Sequence, residues 1–166
     1  YIDLNAHASL WDGARLSPGR LIPVRHNQPK SLERFVKKYG PGVIAIDAYY
    51  STHGAVAPLH EYADIAEKYD CLLVVDEAHS FGLTGDNGGG MVVEHGLEDR
   101  VHFRTVSLAK GLGGNGGLII SNPKTLNWLT FRNRALIFSS SPPPSNSAGN
   151  LAALEVIIRE PERALR

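Results

Sequence analysis

Short apolar runs alternate with longer amphipathic stretches along the whole chain. Residues 21–25 read as a strand. Residues 43–46 (Val-Ile-Ala-Ile) and 72–75 (Leu-Leu-Val-Val) read as strands with no polar face. Such strands belong in a parallel sheet covered by helices above and below. The covering helices are visible in the pattern. Residues 31–39 place Leu32, Phe35 and Val36 on one face, and Gly40-Pro41-Gly42 stops them. Residues 59–69 form the next helix, with Pro58 suited to its first turn. Two later strands are expected at 101–105 and 117–121, on either side of a glycine-rich stretch at 111–117. Gly88-Gly89-Gly90 reads as a turn. The last long helix is expected to start near Ser145, after a stiff Pro142-Pro143-Pro144 run, with Leu151, Leu154 and Ile158 on one face. The alternation predicts an α/β fold, a mostly parallel sheet with helices on both faces.

Length and charge narrow the function. A chain of 166 residues fits one domain with a real core. Seventeen Lys and Arg balance seventeen Asp and Glu, which argues against nucleic acid or an anionic membrane surface as a partner held by charge. No apolar stretch approaches the roughly 20 residues of a membrane span. The single cysteine, Cys71, opens an apolar run and reads as a buried thiol, which favours a reducing, cytoplasmic location. The chain lacks H-E-x-x-H and paired-cysteine spacings, so no metal is expected. The sequence opens at Tyr1 inside a strand-like segment and stops at Arg166 inside a helical one. Residues 1–166 are therefore expected to be an incomplete domain.

In a parallel α/β sheet, ligands bind beyond the carboxyl ends of the strands. Polar residues that interrupt apolar strands there are the candidates. Asp76-Glu77-Ala78-His79 follows Val75 directly. Asp76 can hold a cation and His79 can reach a neighbouring oxygen, or the acids simply cap the next turn. Ser107-Leu108-Ala109-Lys110 follows a strand and precedes glycines that allow close backbone approach to a ligand. A desolvated lysine there can form a Schiff base, whereas a solvated one would only decorate a loop. His7 sits at a strand-to-helix turn and Ser51 in a turn after the 43–46 strand, and both have purely structural alternatives.

Taken in order, several segments resemble the α-oxoamine synthase family of fold-type-I pyridoxal-phosphate (PLP) enzymes. They are Ala6-His7-Ala8-Ser9 with Asp12-Gly13, Ser51 with Gly54 and Ala57-Pro58-Leu59, and residues 75–82 around Asp76-Glu77-Ala78-His79. They continue with Ser107-Leu108-Ala109-Lys110 and its glycines, and end with Phe138-Ser139-Ser140 and Pro142-Pro143. Ser9-Leu10-Trp11, His26-Asn27 and Val101-His102-Phe103 look closest to the quorum-sensing autoinducer synthases that make α-hydroxyketones. Gly113-Gly114-Asn115-Gly116-Gly117 looks more like 8-amino-7-oxononanoate synthase or glycine C-acetyltransferase.

The resemblance implies the large PLP-binding domain, with an N-terminal segment and a small C-terminal domain lying outside this chain. It implies condensation of an amino acid with an acyl-CoA, in a homodimer with shared active sites. Lys110 would be the Schiff-base lysine, and Asp76 would pair with the pyridine nitrogen. His79 would sit by the phenolic oxygen with Ser51 nearby, and His7 would stack on the ring. Ser107 would bind the phosphate, and Ser139 and Ser140 would reach the phosphate in the neighbouring subunit. His53 departs from the pattern, standing where many members carry an aspartate. An aminotransferase would share the fold, but the Asp-Glu-Ala-His and Ser-Leu-Ala-Lys pair fits acyl transfer better. A helicase would share Asp-Glu-Ala-His, but needs a G-x-x-x-x-G-K-[ST] loop that the chain lacks.

Overall fold

The computed structural model describes residues 1–164. Five strands run parallel: β1 (Ile2–Asp3), β2 (Pro23–Val24), β3 (Val43–Asp47), β4 (Leu72–Asp76) and β5 (Phe103–Ser107). β6 (Gly117–Ile120) is antiparallel to β5, and the sheet order is β2-β1-β3-β4-β5-β6. The helices are α1 (Ala8–Leu16), α2 (Pro29–Tyr39), α3 (Leu59–Lys68), α4 (Met91–Glu94), α5 (Pro123–Arg132), α6 (Arg134–Ile137) and α7 (Pro144–Arg159). This is the mostly parallel α/β sheet that the strand pattern predicts.

The two-residue period of a strand divides the sheet into two unlike faces. Ile44 and Ile46 of β3 and Leu73 and Val75 of β4 are buried in one core. Leu32 and Val36 of α2 and Leu59, Tyr62, Ala63 and Ala66 of α3 belong to the same core. Each such aliphatic side chain contributes roughly 1.5–3 kcal/mol by leaving water. The alternate residues Val43, Ala45 and Asp47, Val74 and Asp76, and Phe103 and Thr105 point the other way. α1 covers part of that second face, beside Ile2 and Ala45. Val43 and Leu72, at its amino end, stay exposed.

Some boundaries differ from the sequence expectation. The strand expected over 21–25 contracts to β2, an edge strand whose Pro23 has no N–H to give. The strand expected from 101 begins at Phe103 and runs on to Ser107, where it gains β6 as a partner. The glycine turn contributes to a short 3-10 segment at Asp86–Gly88. Cys71 is buried and unpaired, as expected. α5 and α6 were not anticipated, and neither buries a residue. α7 begins at Pro144, one residue before the expected start, but its inward face is not the expected one. Ile157 is buried, and Ala153 and Leu154 pack with it against Val106, Leu108 and Leu112. Leu151 and Ile158 are solvent-exposed. At 3.6 residues per turn, 153, 154 and 157 share a stripe that excludes them.

Candidate active site

Because β1 to β5 are parallel, their carboxyl ends share one edge of the sheet. Asp3, Asp47 and Asp76 end β1, β3 and β4 there, and Ser107 ends β5. The register sets Asp47 beside Asp76 and Asp76 beside Thr105, all on the second face. Asp76 is half-buried, and its Oδ1 accepts a hydrogen bond from Ala78 N at 2.9 Å. Among the described residues no group donates to its Oδ2. Thr105 Oγ1, next to it across the ladder, is buried and has no hydrogen-bond partner.

The chain then turns so that His79 meets Lys110. Lys110 Nζ lies 2.6 Å from His79 Nε2. Burial lowers the His79 pKa, and the Lys110 charge lowers it further, while Asp76 opposes both. Both effects favour the neutral imidazole of His79 beside the Lys110 side chain. His7 caps α1: its Nδ1 lies 2.8 Å from Ser9 Oγ and accepts Ser9 N at 3.3 Å. His7 contributes to the same lowering, so His7, Asp76, His79 and Lys110 form one electrostatic cluster.

Asp47 is the residue that sequence reasoning missed. It is only 4% exposed and accepts the backbone N–H of His7 at 3.1 Å, which fixes the start of α1. Burial, with a smaller contribution from the Asp76 charge, pushes its carboxyl pKa up to about 6. The available signal was an acid ending an otherwise apolar strand, the same signal that marked Asp76.

Glu77 takes the opposite role from its neighbour. One residue further on, it points into the core, where it is fully buried and pairs with Arg104. It also accepts Val92 N at 2.9 Å and Ser80 Oγ at 3.3 Å, while Arg104 donates to Gly89 O. Glu77 and Arg104 therefore clamp the 84–92 loop and are not available to a ligand. The glycines after Lys110 also have a different purpose from the expected one. A Cβ on Gly111 would come within 2.3 Å of Phe81 O, and one on Gly114 within 2.0 Å of Asn150 Oδ1. Gly111 and Gly114 let the lysine turn pack against the His79 turn and α7.

Ser51 is exposed in the turn after β3, and Ser107 is half-buried at the end of β5. Ser139 and Ser140 are exposed beyond α6, and no hydrogen bond links them to the Lys110 cluster among the described residues. Ser139 Oγ donates instead to Ala135 O at 2.5 Å. A cavity of about 590 Å³ lies elsewhere, between α1 and the amino end of the second face.

A lysine, a neutral histidine and a free aspartate oxygen at the carboxyl edge of such a sheet define the cofactor-binding domain of a fold-type-I PLP protein. The chain belongs to the aminotransferase class I and II family, which it matches over residues 1–164, and within it to the α-oxoamine synthases. It is 41% identical to the CAI-1 autoinducer synthase of Vibrio campbellii over 157 residues, covering 95% of this chain and 40% of that protein. It is 36% identical to 8-amino-7-oxononanoate synthase 1 of Bacillus subtilis, covering 96% and 42%. A serine palmitoyltransferase from S. paucimobilis, solved with a PLP-myriocin aldimine, superposes with a TM-score of 0.92 at 30% identity, over 98% of this chain and 42% of that one. The chain thus spans about two-fifths of the length of these relatives.

The family's cofactor is PLP, and the residues present fit it. Asp76 Oδ2 and Thr105 Oγ1 are polar atoms without protein partners beside the Lys110–His79 pair. Asp76 would hold the pyridine nitrogen, Lys110 the aldehyde carbon, and His79 the neighbouring phenolic oxygen.

Proposed function

We propose that this chain carries the cofactor site of an acyltransferase that condenses an amino acid, or an amine derived from one, with an acyl-CoA to give an α-aminoketone. The observation that carries the reading is the 2.6 Å contact of Lys110 with a neutral His79, one strand end away from Asp76. When bound, PLP supplies an electron sink that lets negative charge form at the amino-acid Cα. The Asp76 carboxylate would keep the proton on the pyridine nitrogen. An opposite charge at this range shifts a pKa by about 1–3 units, about 10- to 1000-fold in the population of the protonated ring. Lys110, with its proton accepted by His79, is placed to move protons at Cα. Ser107 would bind the phosphate, Ser51 would assist at the phenolic oxygen, and His7 would contact the ring.

The finer reading is a quorum-sensing autoinducer precursor as product, supported by the 41% identity to the Vibrio protein. The enzyme works in the cytoplasm as a homodimer, with Ser139 and Ser140 of one subunit serving the phosphate of the other. Their exposure, away from their own chain's site, supports that role. No helix among the described residues is long and apolar enough to cross a membrane.

The test incubates the full-length enzyme with a panel of amino acids and acyl-CoAs and identifies products by mass. An aminoketone whose mass is the sum of the two substrates less CoA and carbon dioxide supports acyl transfer. A keto acid formed from the amino acid when a 2-oxo acid acceptor replaces the acyl-CoA identifies an aminotransferase instead.

A further inference from the structure

A second chain of polar side chains runs along the same sheet edge, on the β1 side of the site. It starts at Asp3, only 2% exposed, whose Oδ1 accepts Asn5 N at 2.8 Å and whose Oδ2 accepts Asn27 N at 2.9 Å. His26 Nδ1 lies 2.9 Å from the same Oδ1. His26 Nε2 faces His53 Nε2 at 2.9 Å, and His53 Nδ1 faces Thr52 Oγ1 at 2.8 Å. The buried Tyr50 ring meets His26 edge-on, with centroids 4.5 Å apart, and lies 5.8 Å from His53. Asn27 ties the same group to the far side of the turn, donating from Nδ2 to Val56 O at 2.9 Å.

With both rings neutral, the direction of every bond follows from the buried end. A carboxylate already receiving two backbone N–H groups can only accept, so His26 must present Nδ1–H to it. Its Nε2 is then a lone pair, which requires Nε2–H on His53. The Nδ1 of His53 in turn accepts, so the Thr52 hydroxyl donates. Two neutral imidazoles satisfy the whole sequence without an unmade bond. Two imidazoliums could not, because both facing nitrogens would carry protons.

We propose that Asp3, His26 and His53 are positioning residues: a one-way hydrogen-bond relay that holds the Ser51–Thr52 turn beyond the carboxyl end of β3, with His26 locked as its Nδ1–H tautomer and His53 as its Nε2–H tautomer. The relay matters because a solvated neutral histidine side chain prefers Nε2–H, so the His26 form is imposed by Asp3. It also explains what histidine does at position 53. A carboxylate there would set His26 between two acids and hold it as imidazolium, whereas His53 passes the anchoring on to Thr52 with no added charge beside the site. The consequence for cofactor retention rests on the PLP reading above; the tautomers do not.

Two measurements on the full-length protein test this. In the first, ¹⁵N-histidine labelling with long-range proton–nitrogen correlation assigns the tautomers, with His26→Asn and His53→Gln identifying the signals. Nδ1–H on His26 and Nε2–H on His53 are expected; Nε2–H on His26, a mixture of the two forms, or a doubly protonated His26 with Nδ1–H on His53 overturns the relay. The second titrates PLP by absorbance. His53→Gln keeps a donor for His26 and an acceptor for Thr52, so its PLP affinity should stay within about twofold of wild type. His53→Ala loses both bonds and should weaken binding about fivefold, the effect of one ordinary hydrogen bond. Adding His26→Asn to His53→Ala should cost little more, since the relay is already broken. Equal losses for the Gln and Ala variants, or additive losses in the double variant, would also overturn it. If wild type itself fails to bind PLP, the cofactor reading falls and the tautomers alone decide the relay.

Discussion

The β1–β4 side of the sheet and the segment after β6 use their apolar residues in opposite ways. On the first side, Leu32, Ile44, Ile46, Leu59, Tyr62, Leu73 and Val75 are almost fully enclosed between β3, β4, α2 and α3. After β6, Trp128, Phe131, Phe138, Leu151 and Ile158 are more than half exposed, and the local core is four residues, Val106, Leu108, Leu112 and Ile157. α5 and α6 are held by local devices, such as the Asn122 and Asn133 side chains that accept from Thr125 N and Leu136 N. The first region carries its own stability and positions Asp47, Asp76 and His79. The second has apolar surface that the described residues do not cover. Lys110 sits at the junction, where close glycine packing fixes it to the first region.

The largest effect is expected at that junction. Lys110→Ala in the full-length enzyme should lower turnover by about 10²–10⁴-fold, the range for losing a positioned acid–base group. Its unfolding transition without cofactor should hardly move, because Lys110 is exposed. Borohydride reduction of wild type should attach the cofactor to the peptide containing Lys110. A label on Lys124 would reassign the lysine to the second region. Next in size is the clamp in the rigid region. Arg104→Ala leaves Glu77 buried without its cation and should cost about 3–5 kcal/mol in denaturant unfolding. A cost below 1 kcal/mol would mean the 84–92 loop does not depend on the pair.

How much of this was legible in the sequence differs between the same two regions. The unbroken apolar runs of β3 and β4 announced a parallel sheet, and the acid ending β4 marked Asp76. The division of labour between Asp76 and Glu77 was not legible, because it depends on which face α2 and α3 cover. The true purpose of Gly111 and Gly114 depends on Phe81 and Asn150, which lie far away in sequence. In α5, Leu126, Trp128, Leu129 and Phe131 form no single stripe facing a core, and the helix buries none of them. Its pattern therefore gave no amphipathic signal to read.

Asp47 gives a smaller, pH-dependent effect in the first region. Its folded pKa, about 6, lies above the 3.8 of an ordinary aspartate. Between these values the native state holds the proton more tightly than the unfolded chain, so stability falls as pH rises from about 4 to about 6 and then levels. Roughly two pH units at 1.36 kcal/mol each bound the loss at about 3 kcal/mol. Asp47→Asn keeps an oxygen for His7 N and should remove this part of the fall when the two unfolding profiles are compared. Parallel profiles for the two proteins would show that Asp47 is charged throughout. Asp76→Asn should lower turnover at least about tenfold with the fold intact, since an amide cannot hold the pyridinium proton.

The smallest effect concerns the outward aromatics and tests the comparison most directly. Phe131 and Phe138 are each 73% exposed, so little of either ring leaves water when this chain folds. Truncating an exposed side chain usually changes stability by no more than about 0.5 kcal/mol, whereas emptying an enclosed site such as Leu73 costs about 2–5 kcal/mol. Phe131→Ala and Phe138→Ala should therefore leave the unfolding of this segment unchanged while Leu73→Ala lowers it sharply. In the full-length enzyme, where the proposed partner covers this side, at least one of the two should weaken dimerisation, measured by sedimentation over a concentration series. The same substitution would then be silent in one setting and costly in the other, because the ring is buried by association rather than by folding. A loss above about 2 kcal/mol in the isolated segment would show that these rings already belong to its core, and the contrast between the two regions would fail.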